Sequence, residues 1–304
     1  MSRTFFIVGP TATGKSELAA DVAREIGAEI VSADAFQLYR GLDLLTAKPD
    51  AATLAKASHH LVGTTPLHEA MNAEKYRRAA SRLIDEIHSR GNLALVVGGS
   101  GLYIKALTHG LAPLPDPDAK LRERLNDMSL DALRAQLAEL DPKTAEKIDL
   151  KNRRRVVRAL EICLLTGKPF SAQRPRVTAS HSEAARGVFV FRDREELYER
   201  INQRVETIFE RGVIEEVRAA GATSATASQM IGLREIRGFL AGKKSLPQCI
   251  AEIQQATRRY AKRQLTWFRR QTNFAPLNLS FLTHNEAVKW ISLRILSGAG
   301  TRDD

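Results

Sequence analysis

"FIVGPTATGKSELA", residues 6–19, joins an apolar run to a glycine-spaced turn and then to a helix-forming run. Gly9, Gly14, Lys15 and Ser16 stand in the spacing G-x-x-x-x-G-K-[ST]. The two glycines let the backbone curl, so that successive N–H groups point inward around an anion. A helix beginning near Lys15 adds the positive end of its dipole to the same place. Lys15 reaches the outer phosphates, and the Ser16 hydroxyl is placed to ligate Mg²⁺. The flanks agree: "RTFFIV" (3–8) predicts a buried strand, and "GKSELAADVAREIG" (14–27) predicts a helix ending at Gly27. The motif specifies phosphate binding, not ATP, because a diphosphate ester fits the same cradle.

Working outward, "AEIVSADAF" (28–36) reads as a strand ending at Asp34. "AEKYRRAASRLIDEIHSRG" (73–91) carries Tyr76, Ala80, Leu83, Ile84 and Ile87 on one helical face and stops at Gly91. "NLALVVGGSGLYIKAL" (92–107) reads as a buried strand, a glycine turn and a helix. This alternation predicts an α/β fold, a P-loop core with a parallel doubly wound sheet, binding ligands at the carboxyl ends of its strands. It breaks at "LAPLPDPDA" (111–119), with its three prolines, and the segments over about 120–166 read as helices. A loose segment (168–186) follows, then "GVFVFR" (187–192), a strand placed to rejoin the sheet. Further helices are expected over 194–212, 228–242 and 247–271, and a frayed tail at "SGAGTRDD". The expected organisation is a core over 1–115, a helical insert over 116–187, and a return to the core with basic helices over 188–304.

The chain has 304 residues and a formal charge of +11. Residues 1–110 hold 12 Lys/Arg against 11 Asp/Glu, leaving 34 against 24 for residues 111–304. The excess concentrates in "KNRRRVVR" (151–158) and "TRRYAKRQLTWFRR" (257–270), which contain no acid. A solvated helix face mixes both signs, so these runs point to a polyanionic partner such as a nucleic acid. No apolar stretch is long enough to span a membrane. The opening "MSRTFFIVGP" runs straight into the first strand and does not read as a signal peptide. Cys163 and Cys249 stand apart, without metal-ligand spacing, which suits the cytoplasm. The adjacent His59 and His60 read as structural, and a monomer is the working expectation.

Asp34 is the most informative single residue. P-loop ATPases normally end a second apolar strand in an acid that holds Mg²⁺, but "LALVV" here ends in Gly98–Gly99. Asp34 is the carboxylate at a strand end, expected beside the P-loop strand and across the crevice from the loop. It reads either as a Mg²⁺ ligand or as a general base acting on an acceptor. "GGSGLY" (98–103) brings backbone and the Ser100 hydroxyl near a ligand, and one of Arg200 and Arg204 is placed to reach inward to a phosphate. Three other readings use the same loop. A small-molecule kinase leaves the basic C-terminal helix without a role. An RNA-binding GTPase- or ATPase-like module asks for a signature such as N-K-x-D, which is absent. A prenyltransferase acting on free adenine nucleotides would not need two acid-free basic runs.

Six stretches fall in an order that resembles the tRNA dimethylallyltransferases, also called tRNA isopentenyltransferases, of bacterial type. They are "GPTATGKS", "SADAFQLYRGLDLLTAKP" (32–49), "VGGSGLYIKAL", "RRVVRALEI" (154–162), "MIGLREI" (230–236) and "KRQLTWFR" (262–269). The resemblance covers nearly the whole chain. It implies transfer of a dimethylallyl group from its diphosphate to N6 of the adenosine 3′-adjacent to the tRNA anticodon, with Mg²⁺ and release of diphosphate. The cradle is then Gly9, Pro10, Thr11, Ala12, Thr13, Gly14, Lys15 and Ser16, with Ser16 toward the metal. Lys15 and Arg204 serve the leaving diphosphate, and Asp34 takes the N6 proton. Resemblance also assigns tRNA contact to Asp34, Ala35, Phe36, Gln37, Ser100 and Arg122. A second set is Arg154, Arg155, Val156, Val157 and Arg158. A third is Gln229, Met230, Ile231, Gly232, Leu233 and Arg234, and the last is Lys262, Arg263, Gln264, Leu265, Thr266, Trp267, Phe268 and Arg269. The insert resembles the family's mobile helical domain. The chain departs from the family pattern at Ala35, Leu45, Arg154 and Leu233, where Ser, Gly, Gln and Tyr are usual.

Overall fold

The computed structural model describes residues 3–112, 114–173 and 185–297. The tail beyond Ser297 and residues 174–184 of the loose segment lie outside them. Contacts divide the chain into two compact units, residues 1–108 with 183–304, and residues 109–182.

The first unit begins with β1 (Thr4–Val8), α1 (Lys15–Ile26), β2 (Glu29–Ser32), the short α2 (Ala51–Leu54) and β3 (His59–His60). It continues with α3 (Ala73–Ser89), β4 (Ala94–Gly98) and α4 (Gly101–His109). All six strands of its sheet are parallel, in the order β3-β2-β4-β1-β5-β6. β1 alternates cleanly: Phe5 and Ile7 enter one core, Phe6 and Val8 the other. The first core is closed by α1 through Leu18, Ala19 and Val22, the second by α3 and α4 through Tyr76, Ala80, Ile84 and Ile104. Helices on both faces of a parallel sheet make this a doubly wound α/β unit.

The second unit holds α5 (Ala119–Asp127), α6 (Leu130–Leu140), α7 (Pro142–Lys147) and α8 (Arg153–Thr166). Asp118, Ser129, Asp141 and Asn152 each cap the helix that follows, accepting a bond from its first turn. Leu125, Leu133, Leu137, Val156, Val157 and Leu160 form its core. Glu161 lies within this unit, fully buried, with Arg122 at 2.8 Å and Arg158 at 2.5 Å.

The chain returns to the first unit with β5 (Arg186–Phe191), α9 (Arg194–Glu210) and α10 (Val213–Ala219). Then follow α11 (Leu233–Leu240), α12 (Leu246–Gln271), β6 (Ala275–Asn278) and α13 (His284–Ser297). Gly212, at φ 91°, stands where the sequence pattern ends the helix over 194–212, and it starts α10, which that pattern does not pick out. α12 is 26 residues, about 39 Å at 1.5 Å per residue, and opens with a capping box of Ser245 and Gln248. β6 and α13 are not among the elements the sequence pattern picks out. β6 contains Pro276, which a sheet tolerates at its edge, where β6 lies. His60 is tied to the Glu29 carboxylate at 2.7 Å, a structural pairing at the opposite edge.

The Glu161 cluster gives a direct stability test. Replacing Arg122 and Arg158 together with Ala leaves a buried carboxylate without its cations. Denaturant unfolding is expected to show a loss of about 3–5 kcal/mol. Adding Glu161→Gln to that double variant should recover most of the loss, since a neutral amide no longer needs a counter-charge.

Candidate active site

The loop after β1 is held in an anion-receptive shape by its own groups. Gly14 (φ 90°) and Ala12 (φ 65°) are both left-handed, and the Gly14 turn delivers the chain into α1 with its first N–H groups facing the loop. At Gly9 a Cβ would fall 2.1 Å from the Val190 carbonyl oxygen, so only glycine lets the loop leave β1 against β5. The Thr13 hydroxyl and the Lys15 ammonium both donate to the Pro10 carbonyl, at 3.0 and 3.1 Å. Lys15 is thus folded over the loop. Burial pulls its pKa down to about 8, Asp34 opposes that shift, and Arg204 adds to it.

Three arginines wrap this loop. Arg204 is the inward one, donating to the Thr11 hydroxyl at 2.9 Å, with its pKa lowered by burial and raised by Asp34. Arg200 donates to the Ala12 carbonyl at 2.9 Å, and Arg192 to the Thr13 carbonyl at 3.0 Å. The sequence does not single out Arg192. No local signal marks it, since its role depends on β5 lying beside β1.

Asp34 reaches the same place by a route that differs from expectation. β2 does not adjoin β1, because β4 lies between them. The strand also ends at Ser32, two residues before Asp34. The chain after β2 crosses the end of β4 instead, and Gly98 permits the crossing: a Cβ there would fall 2.3 Å from the Ala33 carbonyl. One Asp34 oxygen, Oδ1, accepts from the Phe36 and Gln37 N–H groups at 3.0 and 3.3 Å. The neighbouring Ala35 N–H donates to the Ser100 hydroxyl at 2.8 Å, and the Tyr260 phenol lies close to that hydroxyl. Tyr260, unassigned by the sequence, has its phenol pKa raised by burial and then by the Asp34 charge. Asp34, Lys15, Arg204 and Tyr260 therefore share one electrostatic environment.

The residues assigned to tRNA contact separate into two groups. Phe36, Gln37, Leu265 and Trp267 are half-buried, while Gln229, Arg234, Lys262, Arg263, Thr266 and Arg269 are exposed. Arg154 and Arg155 are exposed on the second unit, as is Lys151. Other side chains are committed elsewhere within the protein. Val156 and Val157 are core of the second unit, Met230 and Leu233 are core of the first, and Phe268 packs beneath the sheet. Apolar side chains so placed are closed to RNA. Arg122 and Arg158 neutralise Glu161, and Arg153 in the basic run donates to the Leu125 and Asn126 carbonyls at the end of α5. Gly232 (φ 96°) is buried, its absent Cβ giving way to Leu45, and Ile231 is half-buried beside it. Gln264 is buried against the P-loop.

Along α12, Arg259, Lys262, Arg263, Thr266, Trp267, Arg270 and Gln271 line an open concavity of ≈ 590 Å³. The Trp267 ring occupies the space where a Gly101 Cβ would stand, 2.5 Å away, so this basic, aromatic surface adjoins the Ser100 turn. Cationic side chains beside an indole suit unstacked bases and their phosphates. Among the described residues, no group of three or more His, Cys, Asp or Glu could hold a metal ion. The half-buried Ser16 hydroxyl has no hydrogen-bond partner among those residues. That donor set fits Mg²⁺ arriving with phosphate oxygens as its main ligands.

Fold and site together define a P-loop α/β protein whose phosphate cradle opens beside a basic, aromatic helix. A family model described as IPP transferase matches residues 37–271, and the chain belongs to that family. A tRNA dimethylallyltransferase of Akkermansia muciniphila is 44% identical over 269 residues, 88% of this chain and 90% of that protein. The solved structure of a tRNA isopentenylpyrophosphate transferase from Bacillus halodurans is 33% identical, with a TM-score of 0.69 and 98% of each chain covered. A eukaryotic dimethylallyltransferase structure, at 23% identity and a TM-score of 0.81, covers all of this chain and 82% of its own and shares the fold.

Lys15 supplies a pH test. With a free-enzyme pKa near 8, it is partly neutral in mildly alkaline solution. A bound diphosphate favours its charged form and raises that pKa, so binding takes up a proton. Affinity should therefore fall as pH rises through about 8. Calorimetry at alkaline pH, in buffers of different ionisation enthalpy, should show proton uptake in the native protein exceeding that of Lys15→Met. Equal uptake would place Lys15 outside the anion's field.

Proposed function

We propose that this protein transfers the dimethylallyl group of dimethylallyl diphosphate to N6 of the adenosine 3′-adjacent to the anticodon in tRNA, releasing diphosphate. The observation that carries this reading is the meeting of Asp34 with Lys15 and Arg204 in one partly desolvated place, beside the basic face of α12. One buried and one half-buried cation around a glycine-rich loop suit a leaving group that gains charge. A single carboxylate opposite them suits an acceptor that loses a proton.

In the reaction, the allylic C–O bond breaks and the electron pair stays on the diphosphate. Lys15, Arg204 and the first N–H groups of α1 stabilise that developing charge in a site of low dielectric. Mg²⁺, held by Ser16 and the diphosphate oxygens, would add Lewis-acid stabilisation there. The exocyclic amine uses its lone pair to form the new N–C bond and gives one proton to Asp34. Two backbone N–H groups fix one Asp34 oxygen and leave the second without a hydrogen-bond partner among the described residues, as a proton acceptor requires. An adenine within a stacked anticodon loop must first be extruded, at a few kcal/mol. Lys262, Arg263 and Arg269 offset that cost through the loop phosphates, while Trp267 offers a ring for an unstacked base. Arg154 and Arg155, exposed on the second unit, are a further pair of cations for tRNA phosphates.

Asp34→Asn separates the two roles open to this residue. The amide keeps the size of the side chain and can still accept from Phe36 and Gln37, but it takes no proton. Single-turnover prenylation should slow by ~10²–10⁴-fold at every Mg²⁺ concentration, with diphosphate and tRNA affinities little changed. Recovery of near-native rates at saturating Mg²⁺ would make Asp34 a metal ligand instead.

A further inference from the structure

Gln264 sits in the C-terminal third of α12, in a helix whose outer face is basic, yet its own side chain is only 5% exposed. Its amide oxygen accepts from the Thr11 N–H at 2.9 Å, and its amide nitrogen donates to the Gly99 carbonyl at 2.9 Å. Both ends of the side chain are therefore spent inside the protein. The fit is reciprocal: a Cβ on Gly99 would fall 2.2 Å from Gln264 Nε2, so residue 99 is a glycine where this amide passes.

Each of the two tethered residues leads directly to reacting groups. The hydroxyl of Thr11 holds the Arg204 guanidinium at 2.9 Å. Gly99 precedes Ser100, whose hydroxyl takes the N–H of Ala35, the residue after Asp34. One side chain thus bridges the leaving-group half and the acceptor half of the site. A carboxamide is also the side chain that offers an acceptor and a donor in one plane at this reach. An aliphatic residue offers neither, and a carboxylate only the first.

We propose that Gln264 is a positioning residue, which sets the placement of Thr11, and through it Arg204, against the Gly99–Ser100 turn that carries the Asp34 loop. This rests on the reading of the P-loop as a diphosphate cradle, and it replaces direct tRNA contact as the role of Gln264. Residues 262 and 263, on the exposed face of α12, keep the RNA-facing role.

The test uses the full chain with Gln264→Leu and Gln264→Glu, inorganic pyrophosphate with Mg²⁺ as the probe, and tRNA binding measured separately at fixed salt. Gln264→Leu should weaken pyrophosphate binding roughly tenfold or more, the effect of a buried polar group left without its partner. tRNA affinity should hold. Gln264→Glu preserves the shape. Relative to the native protein at the same pH, its pyrophosphate affinity should recover as pH falls from about 8 to about 5.5, because the buried carboxyl regains a proton and can donate to Gly99. Gln264→Leu should show no such recovery. If Gln264→Leu does not fold, the pH-dependent recovery of the isosteric variant carries the test alone. Weakened tRNA binding with unchanged pyrophosphate affinity would overturn the proposal and make Gln264 an RNA contact. Failure of the native protein to bind pyrophosphate would instead overturn the cradle itself.

Discussion

Where β4 ends, Gly98 has no side chain, and the Ala33 carbonyl lies 2.3 Å from the place a Cβ would take. Because of that contact, the chain leaving β2 crosses a strand with which it is paired and approaches one with which it is not. β1 and β2 are separated by the full width of β4, so a larger residue at 98 would push the Asp34 loop away from the P-loop. Gly9 against Val190 and Gly99 against Gln264 repeat the arrangement on either side. The approach is backbone to backbone at Gly98 and Gly9 and backbone to side chain at Gly99, and the charged groups are placed by the loops that these glycines allow to come close.

The electrostatics follow from this closeness. Lys15, buried, and Arg204, half-buried, lie near one another, and loss of solvent disfavours the charge of each. Asp34 is the charge that opposes the cost in both cases. A diphosphate would add further compensation, so the free protein is tuned toward an anion it does not itself supply. The second unit shows the contrasting use of charge. There two arginines flank a buried glutamate, one of them also donating to the Pro115 carbonyl, while Arg154 and Arg155 face outward.

Much of this was legible in the sequence because it depends on neighbours in the chain. The P-loop, the α1 helix ending at Gly27, the buried strand β4 and the long basic α12 each carry a local pattern of spacing or periodicity. The sequence also puts Asp34 just beyond a strand on the ligand-binding side of an α/β sheet, although it runs that strand two residues too far and sets it beside β1. What it lacks is long-range. Nothing near Arg122 or Arg158 announces that both turn toward Glu161, and nothing near Gln264 announces Thr11, 253 residues away. β6 is short and contains a proline, so it reads as a loop until β5 supplies an edge for it. The basic run at 151–158 reads as one surface, although its side chains divide among a helix end, an ion cluster, a core and solvent. Charge counting identifies a polyanion as partner without saying which cations meet it.

The central claim is that the cradle and Asp34 act on two substrates at once, an allylic diphosphate and an adenosine in RNA. Incubation of the native protein with unmodified tRNA, dimethylallyl diphosphate and Mg²⁺, followed by nucleoside mass spectrometry and pyrophosphate assay, tests it directly. The expected result is one dimethylallyl group on N6 of the adenosine beside the anticodon, with one pyrophosphate released for each. Unmodified tRNA, with ATP consumed in place of the diphosphate donor, would contradict it.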